Sequence, residues 1–220
     1  MQLDELLLRE GLAAPLRLMV LAIAAVWRAD WDTLQACARA AAARSLPRQD
    51  LEETLLQSVL FCGFPRAVTA FEQLGEAWPT ATAPAGGGLP PSQQVPAGKA
   101  LFARIYGPNE ASVRAMLKTF HGEFHDFVLE AAYGRILTRP HLEPRVREVL
   151  AVAVLAAQDQ VRQFVAHARG ALHFGSNLAE LRETLVSVFG ATARVETWLA
   201  RLDRHSRSGG EKRAPPGHLG

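Results

Sequence analysis

Glu148 and His167 are of types suited to moving a proton together, and their surroundings make the pairing worth examining. Gln160, Gln163, His167 and Gly170 follow the 0, 3, 7, 10 spacing of one helix face, while Val161, Phe164, Val165, Ala168 and Leu172 form the apolar one. Glu148 belongs to the preceding stretch, among Val149, Leu150, Val152, Ala153 and Val154. A carboxylate there either points to water or needs a partner, because burying it alone is costly. Beside His167 it would orient the imidazole, and a neighbouring anion favours the imidazolium form. Such a pair suits general acid–base work at neutral pH. The polar stripe also fits an ordinary solvated helix face, and spacing alone leaves both readings open.

Other candidates are weaker. His121-x-Glu123-x-His125 has the i, i+4 histidine spacing of a helical metal site. No further ligand follows at a suitable distance and Gly122 weakens a helix, so no metal is expected; His125 is kept as a pocket residue. Cys37 and Cys62 lie far apart with no CxxC partner, which points to small buried residues rather than a disulfide framework or a zinc knuckle.

The elements that must position these groups are helical. Ala, Leu, Arg, Glu and Gln dominate and period-two apolar runs are nearly absent. Helices are expected near 14–28, 31–44, 48–61, 65–77, 143–157, 160–174, 178–189 and 191–203. The segment Leu12–Glu72 can be laid without gaps on Leu142–Leu202, so that Leu12, Arg17, Arg39, Leu51, Glu53 and Thr54 fall on Leu142, Arg147, Arg169, Leu181, Glu183 and Thr184. This reads as a tandem duplication. The copies differ where chemistry would sit, since Leu18 and Cys37 occupy the places of Glu148 and His167.

Between the copies, Pro79–Gly98 holds five prolines and four glycines and reads as a mobile linker. A helical insert without counterpart follows from Lys99 to Pro140. The expected organisation is a first repeat over 1–78, a linker over 79–98, connecting helices with a second repeat over 99–204, and a disordered tail over 205–220. With 24 basic against 22 acidic side chains the net charge is +2, which gives nucleic-acid binding no support. The start lacks the basic region of a secretory signal, and the apolar run Leu18–Trp27 is too short to span a bilayer. The expectation is a cytoplasmic protein with no membrane segment.

The pattern Leu142-x-x-Arg145-x-x-Glu148, followed by His167-x-Arg169-Gly170-Ala171-Leu172, resembles the carboxymuconolactone decarboxylase family, whose relatives include the alkylhydroperoxidase D-like proteins. Leu60-Phe61-Cys62-Gly63-Phe64-Pro65-Arg66-Ala67 and Ala132-Tyr133-Gly134-Arg135-Ile136-Leu137-Thr138-Arg139-Pro140 carry the same likeness, which covers about 12–77 and 100–203. It implies an all-α fold made of a duplicated alkylhydroperoxidase D-like unit. In the peroxidase branch a CxxC would fall on Gln160 and Gln163; amides cannot form a thiolate or cycle through a disulfide. Retention of Glu148 and His167 without those cysteines looks like the decarboxylase branch.

That resemblance implies conversion of 4-carboxymuconolactone, or a related lactone or β-keto acid of aromatic compound catabolism, with loss of carbon dioxide and no cofactor. His167 would donate the proton and Glu148 orient it. Gln160 and Gln163 would bind the enolate oxygen, and Arg135, Arg139, Arg169 and Arg66 are the family-pattern arginines for an anionic substrate. Single-copy members form hexamers, so a fused pair implies a homotrimer of six pseudo-equivalent units. Two other functions remain open: an alkylhydroperoxidase-like oxidoreductase, and a non-catalytic helical assembly or ligand-binding protein.

Overall fold

The structure is a computed structural model describing residues 2–82 and 86–211, with side chains described as far as residue 204. Among the described residues it is helical with no strand. After a short α1 (Leu3–Leu7), α2 (Ala14–Arg28), α3 (Trp31–Ala43) and α4 (Arg48–Ala77) form one packed group. Near the other end α8 (Pro144–Ala157), α9 (Val161–His173), α10 (Leu178–Phe189) and α11 (Ala193–Glu211) form another. Helices α2 and α8 pack on each other at the centre, almost fully buried, and one apolar core runs through both groups.

Local chemistry explains the boundaries. Pro15 and Pro144 stand in the first turns of α2 and α8, where a missing amide hydrogen costs little. The Asp30 carboxylate accepts from the Thr33 amide at the start of α3, and the Asn177 side chain from the Glu180 amide at the start of α10. The bounds of α3 and α9 stand 130 residues apart at both ends. That register stops after α10: the backbone break following α4's first half falls at Gly63, whereas the break after α10 falls at Gly190. The gap-free overlay therefore fails beyond this point, because α10 is about one turn shorter than its counterpart.

Helix α4 is the one described helix long and apolar enough to cross a membrane by length and composition, with a third of that stretch (33%) buried. It is not continuous. Gly63 has φ 76° and ψ 169°, a conformation open essentially to glycine alone, and it divides the element into two rods near the expected 48–61 and 65–77.

The central insert departs most from expectation. Pro79–Gly98 is not all linker, because α5 (Pro91–Tyr106) begins at Pro91 and keeps Pro96 and Gly98 inside it. Pro91 fits at a helix start for the same reason as Pro15, and tertiary packing holds the rest. A 3₁₀ turn, α6 (Glu110–Phe120) and α7 (Phe124–Phe127) follow, and the chain then runs as a ten-residue π-helix, Val128–Leu137. Gly98 and Gly134 let α5 and the π-helix touch backbone to backbone; a Cβ on Gly98 would come within 2.7 Å of the Gly134 amide. Leu101, Phe102, Ile105, Leu129, Tyr133 and Leu137 form a second, smaller core there. At the other end α11 extends through Glu211, so part of the expected disordered tail is helical, and 212–220 lie outside the described residues.

Candidate active site

Helices α8 and α9 lie antiparallel across a short turn and bring Glu148 to His167. The His167 Nδ1–H donates to Glu148 Oε2 at 3.0 Å, with Glu148 2% and His167 8% exposed. Gly170, one turn beyond His167, creates the space. A Cβ at that position would collide with the Glu148 carboxylate, so the absent side chain is what lets the acid fold down beside the histidine. At the matching places of the first group, Leu18 and Cys37 are both buried in the apolar core.

The insert covers this pair. Tyr133, on the π-helix, donates its hydroxyl to the Tyr106 hydroxyl of α5 at 3.3 Å. Burial raises the Tyr106 phenol above its ordinary value, with the Glu148 carboxylate adding to the rise and Arg162 opposing it. Tyr133 is pushed well up by burial, then by Tyr106 and Glu148. Both hydroxyls therefore stay protonated at neutral pH. The Tyr106 hydroxyl thus feels Glu148 and Arg162 at once, which ties the buried acid electrostatically to a neighbouring cavity.

That cavity, about 700 Å³ and partly open to solvent, is lined by α5, α6, α7, the π-helix and α9. Its polar wall includes Tyr106, Asn109, Arg162, Gln163 and Arg169; most of the remainder is apolar. Gln163 and Arg169 are thus where a ligand would meet them. Gln160 is exposed at the start of α9 and does not line the cavity, and Arg135 is exposed on the π-helix.

Three expected binding residues are engaged elsewhere. Arg139 binds Glu53, Nε to Oε1 at 2.9 Å, so its charge is spent on a structural ion pair. Arg66 lies over the Trp27 ring, 5.0 Å from its centroid, with Nη1 3.5 Å from the Val26 carbonyl at the end of α2. His125 is buried but outside the cavity wall; its Nε2 accepts from Arg114 Nε at 3.1 Å and its Nδ1 meets Asp126 Oδ1 at 2.7 Å. The i, i+4 helical geometry of His121 and His125 is not realised, because α6 ends at Phe120 and His121 is extended. Among the described residues no cluster of three or more metal-ligating side chains occurs.

The thiols are unsuited to redox catalysis. Burial, reinforced by Asp30, pushes Cys37 up to about 12, and burial pushes Cys62 up to about 11 against a small opposing effect of Arg66. Tyr106, Tyr133 and Arg162 were missed by sequence reasoning. Tyr133 lies in the Ala132–Pro140 stretch already singled out, whereas Tyr106 and Arg162 carried no distinguishing pattern.

An all-helical unit with a buried Glu–His pair on adjacent helices defines the structural class. Residues 122–200 match the family model of the carboxymuconolactone decarboxylase family. The matched segment contains Glu148, His167 and Gly170. Among curated proteins none matches the chain.

Proposed function

We propose that the chain is a carboxymuconolactone decarboxylase-like enzyme that removes carbon dioxide from a lactone carboxylate or β-keto acid, using Glu148 and His167 and no cofactor. The buried 3.0 Å hydrogen bond between them carries this reading. With Nδ1 held by Glu148, Nε2 is the nitrogen left for substrate, which must reach past the Ala166–Arg169 wall because His167 itself does not line the cavity. The bond from the substrate carbon to its carboxylate breaks, carbon dioxide leaves, and the electron pair moves into the conjugated carbonyl as an enolate. The doubly protonated His167 ring gives its Nε2 proton to carbon, and Glu148 holds the ring in position through Nδ1. Gln163 supports the enolate oxygen from the cavity wall, and Arg162 and Arg169 hold the anion.

The test is carbon dioxide release from 4-carboxymuconolactone. His167→Ala is expected to lower kcat by about 10² to 10⁴, the usual worth of a positioned general acid, and Glu148→Gln by a smaller factor. Undiminished turnover in both variants rejects the assignment. The raised thiols argue against the peroxidase alternative, since the thiolate is the reacting species.

The proposal includes a tandem duplication and a homotrimeric assembly in the cytoplasm. Phe64, Val68 and Phe71 lie on one exposed stripe of α4, the kind of apolar surface that assembly covers. Light scattering should give three times the 23.9 kDa chain mass, reduced to one chain by Val68→Glu. A monomeric native protein rejects the assembly.

A further inference from the structure

The cavity is bounded on the α9 side by Arg162, Gln163, Ala166 and Arg169, with Glu148 and His167 outside its lining, and it is large and unevenly furnished. At about 700 Å³ it falls in the range of sites that enclose drug-sized molecules, roughly 300–1,000 Å³. A five-membered lactone bearing two carboxylates would keep both charges on the α9 side, where Arg162 and Arg169 stand, and leave the rest of the cavity empty. The far wall is Val113, Met116, Leu117, Phe120, Phe124 and Val128, contributed by α6, α7 and the π-helix. Phe120 (61% exposed) and Phe124 (41%) continue this apolar wall to the surface. Cationic character is confined to the α9 side. There Arg162 is held 2.7 Å from the Met116 thioether, a weak acceptor that does not neutralise a guanidinium.

We infer that, granted the function proposed above, the substrate is a monocarboxylate with an extended apolar body, its charged head at Arg162 and Gln163 and its body among the α6 and α7 side chains. The head then lies on the α9 side of the cavity, which Tyr106 of α5 also lines. An apolar body has somewhere to go that water fills poorly, whereas a second carboxylate along that wall meets no cation and loses its hydration. The insert absent from the first helical group is therefore the specificity element, and α9 supplies both the reacting histidine and the anion contact.

Binding is measured by calorimetry on the full chain, with decanoate, hexanoate, decan-1-ol and adipate as probes. Decanoate is expected to bind, and affinity should grow about fourfold per methylene from hexanoate upward as apolar surface is buried. Adipate, a small dianion, should bind at least tenfold more weakly than decanoate. Arg162→Gln should weaken decanoate severalfold and leave decan-1-ol unchanged. Val113→Trp, which fills the cavity, should abolish both. Because the chain-length series uses the unaltered protein, a misfolded variant does not decide the outcome. Adipate binding as tightly as decanoate, or affinity independent of chain length, overturns the inference. Turnover of 4-carboxymuconolactone without decanoate binding removes this inference and keeps the decarboxylase reading; decanoate binding with no decarboxylation of any carboxylate does the reverse.

Discussion

Arg147 on α8 donates through Nη2 to Glu53 on α4 at 2.8 Å, and both side chains are almost wholly buried. The arrangement recurs with the partners exchanged: Arg17 on α2 donates through Nη2 to Glu183 on α10 at 3.1 Å. Arg139 joins Glu53 and Arg9 joins Glu183, while Arg147 also reaches the Gln57 side chain and Arg17 the Ser187 hydroxyl. Each helical group thus completes the buried charges of the other.

Removing one member should be severe, because it strands a charge in the core. Glu53→Ala and Glu183→Ala are each expected to cost about 3–5 kcal/mol in unfolding free energy, measured by urea titration. A loss below about 1 kcal/mol for both would mean that the charges are solvated and that the reciprocal pairs do not hold the groups together.

The same carboxylates set a pH dependence. Burial alone would raise Glu53, but hydrogen bonds from Arg139 and Arg147 outweigh it and hold the group below its ordinary value. Glu183 is lowered chiefly by its hydrogen bond from Arg9, against burial, with Arg17 assisting. Between the lowered folded values and the ordinary value near 4.5, the unfolded chain binds more protons, so stability rises with pH there. The contribution is fully present above about pH 5 and is lost as pH falls through the folded values. Urea midpoints from pH 7 to pH 2.5 should drop below pH 4.5 in the native chain and drop less in Glu53→Gln.

Gly170→Ala tests the site geometry. An alanine inside a helix gains up to about 1 kcal/mol over glycine, but here its Cβ would drive a buried carboxylate away from its partner, which costs more than that gain. The variant should fold with a lowered thermal midpoint. Its Glu148 should no longer reach His167, and carbon dioxide release should fall at least tenfold while KM changes less. A retained, strongly hydrogen-bonded Nδ1 proton in the NMR spectrum of the variant would refute this account of the glycine.

Thiol labelling provides an independent check. With Cys62 pushed up to about 11 and Cys37 to about 12, modification by a disulfide reagent at pH 8 should be more than a hundredfold slower in the native protein than in urea. Cys37, fully buried, should label only on unfolding. Fast labelling of Cys37 in the folded chain would show an opening of the first helical group.

Much of this was written in local pattern. The bounds of α2, α3, α8, α9 and α10 follow from apolar periodicity, helix-start prolines and capping side chains, and the Glu148–His167 meeting follows from their places on neighbouring helices. The insert was not legible in the same way. Pro91, Pro96 and Gly98 read as linker because their local preference is non-helical, yet Gly98 is required by the backbone contact with Gly134. The arginines were misassigned for a related reason. Arg139 and Arg66 have the right chemistry for an anion, but only the packed structure shows Glu53 and Trp27 waiting for them.

Thirty residues of uninterrupted helix would reach about 45 Å, enough to traverse a lipid bilayer. In α4 that length is broken at a single position lacking a side chain. Gly63 splits one long apolar rod into two shorter ones, so a residue with a Cβ there should strain the joint and disturb how the two halves rest on α2 and α3.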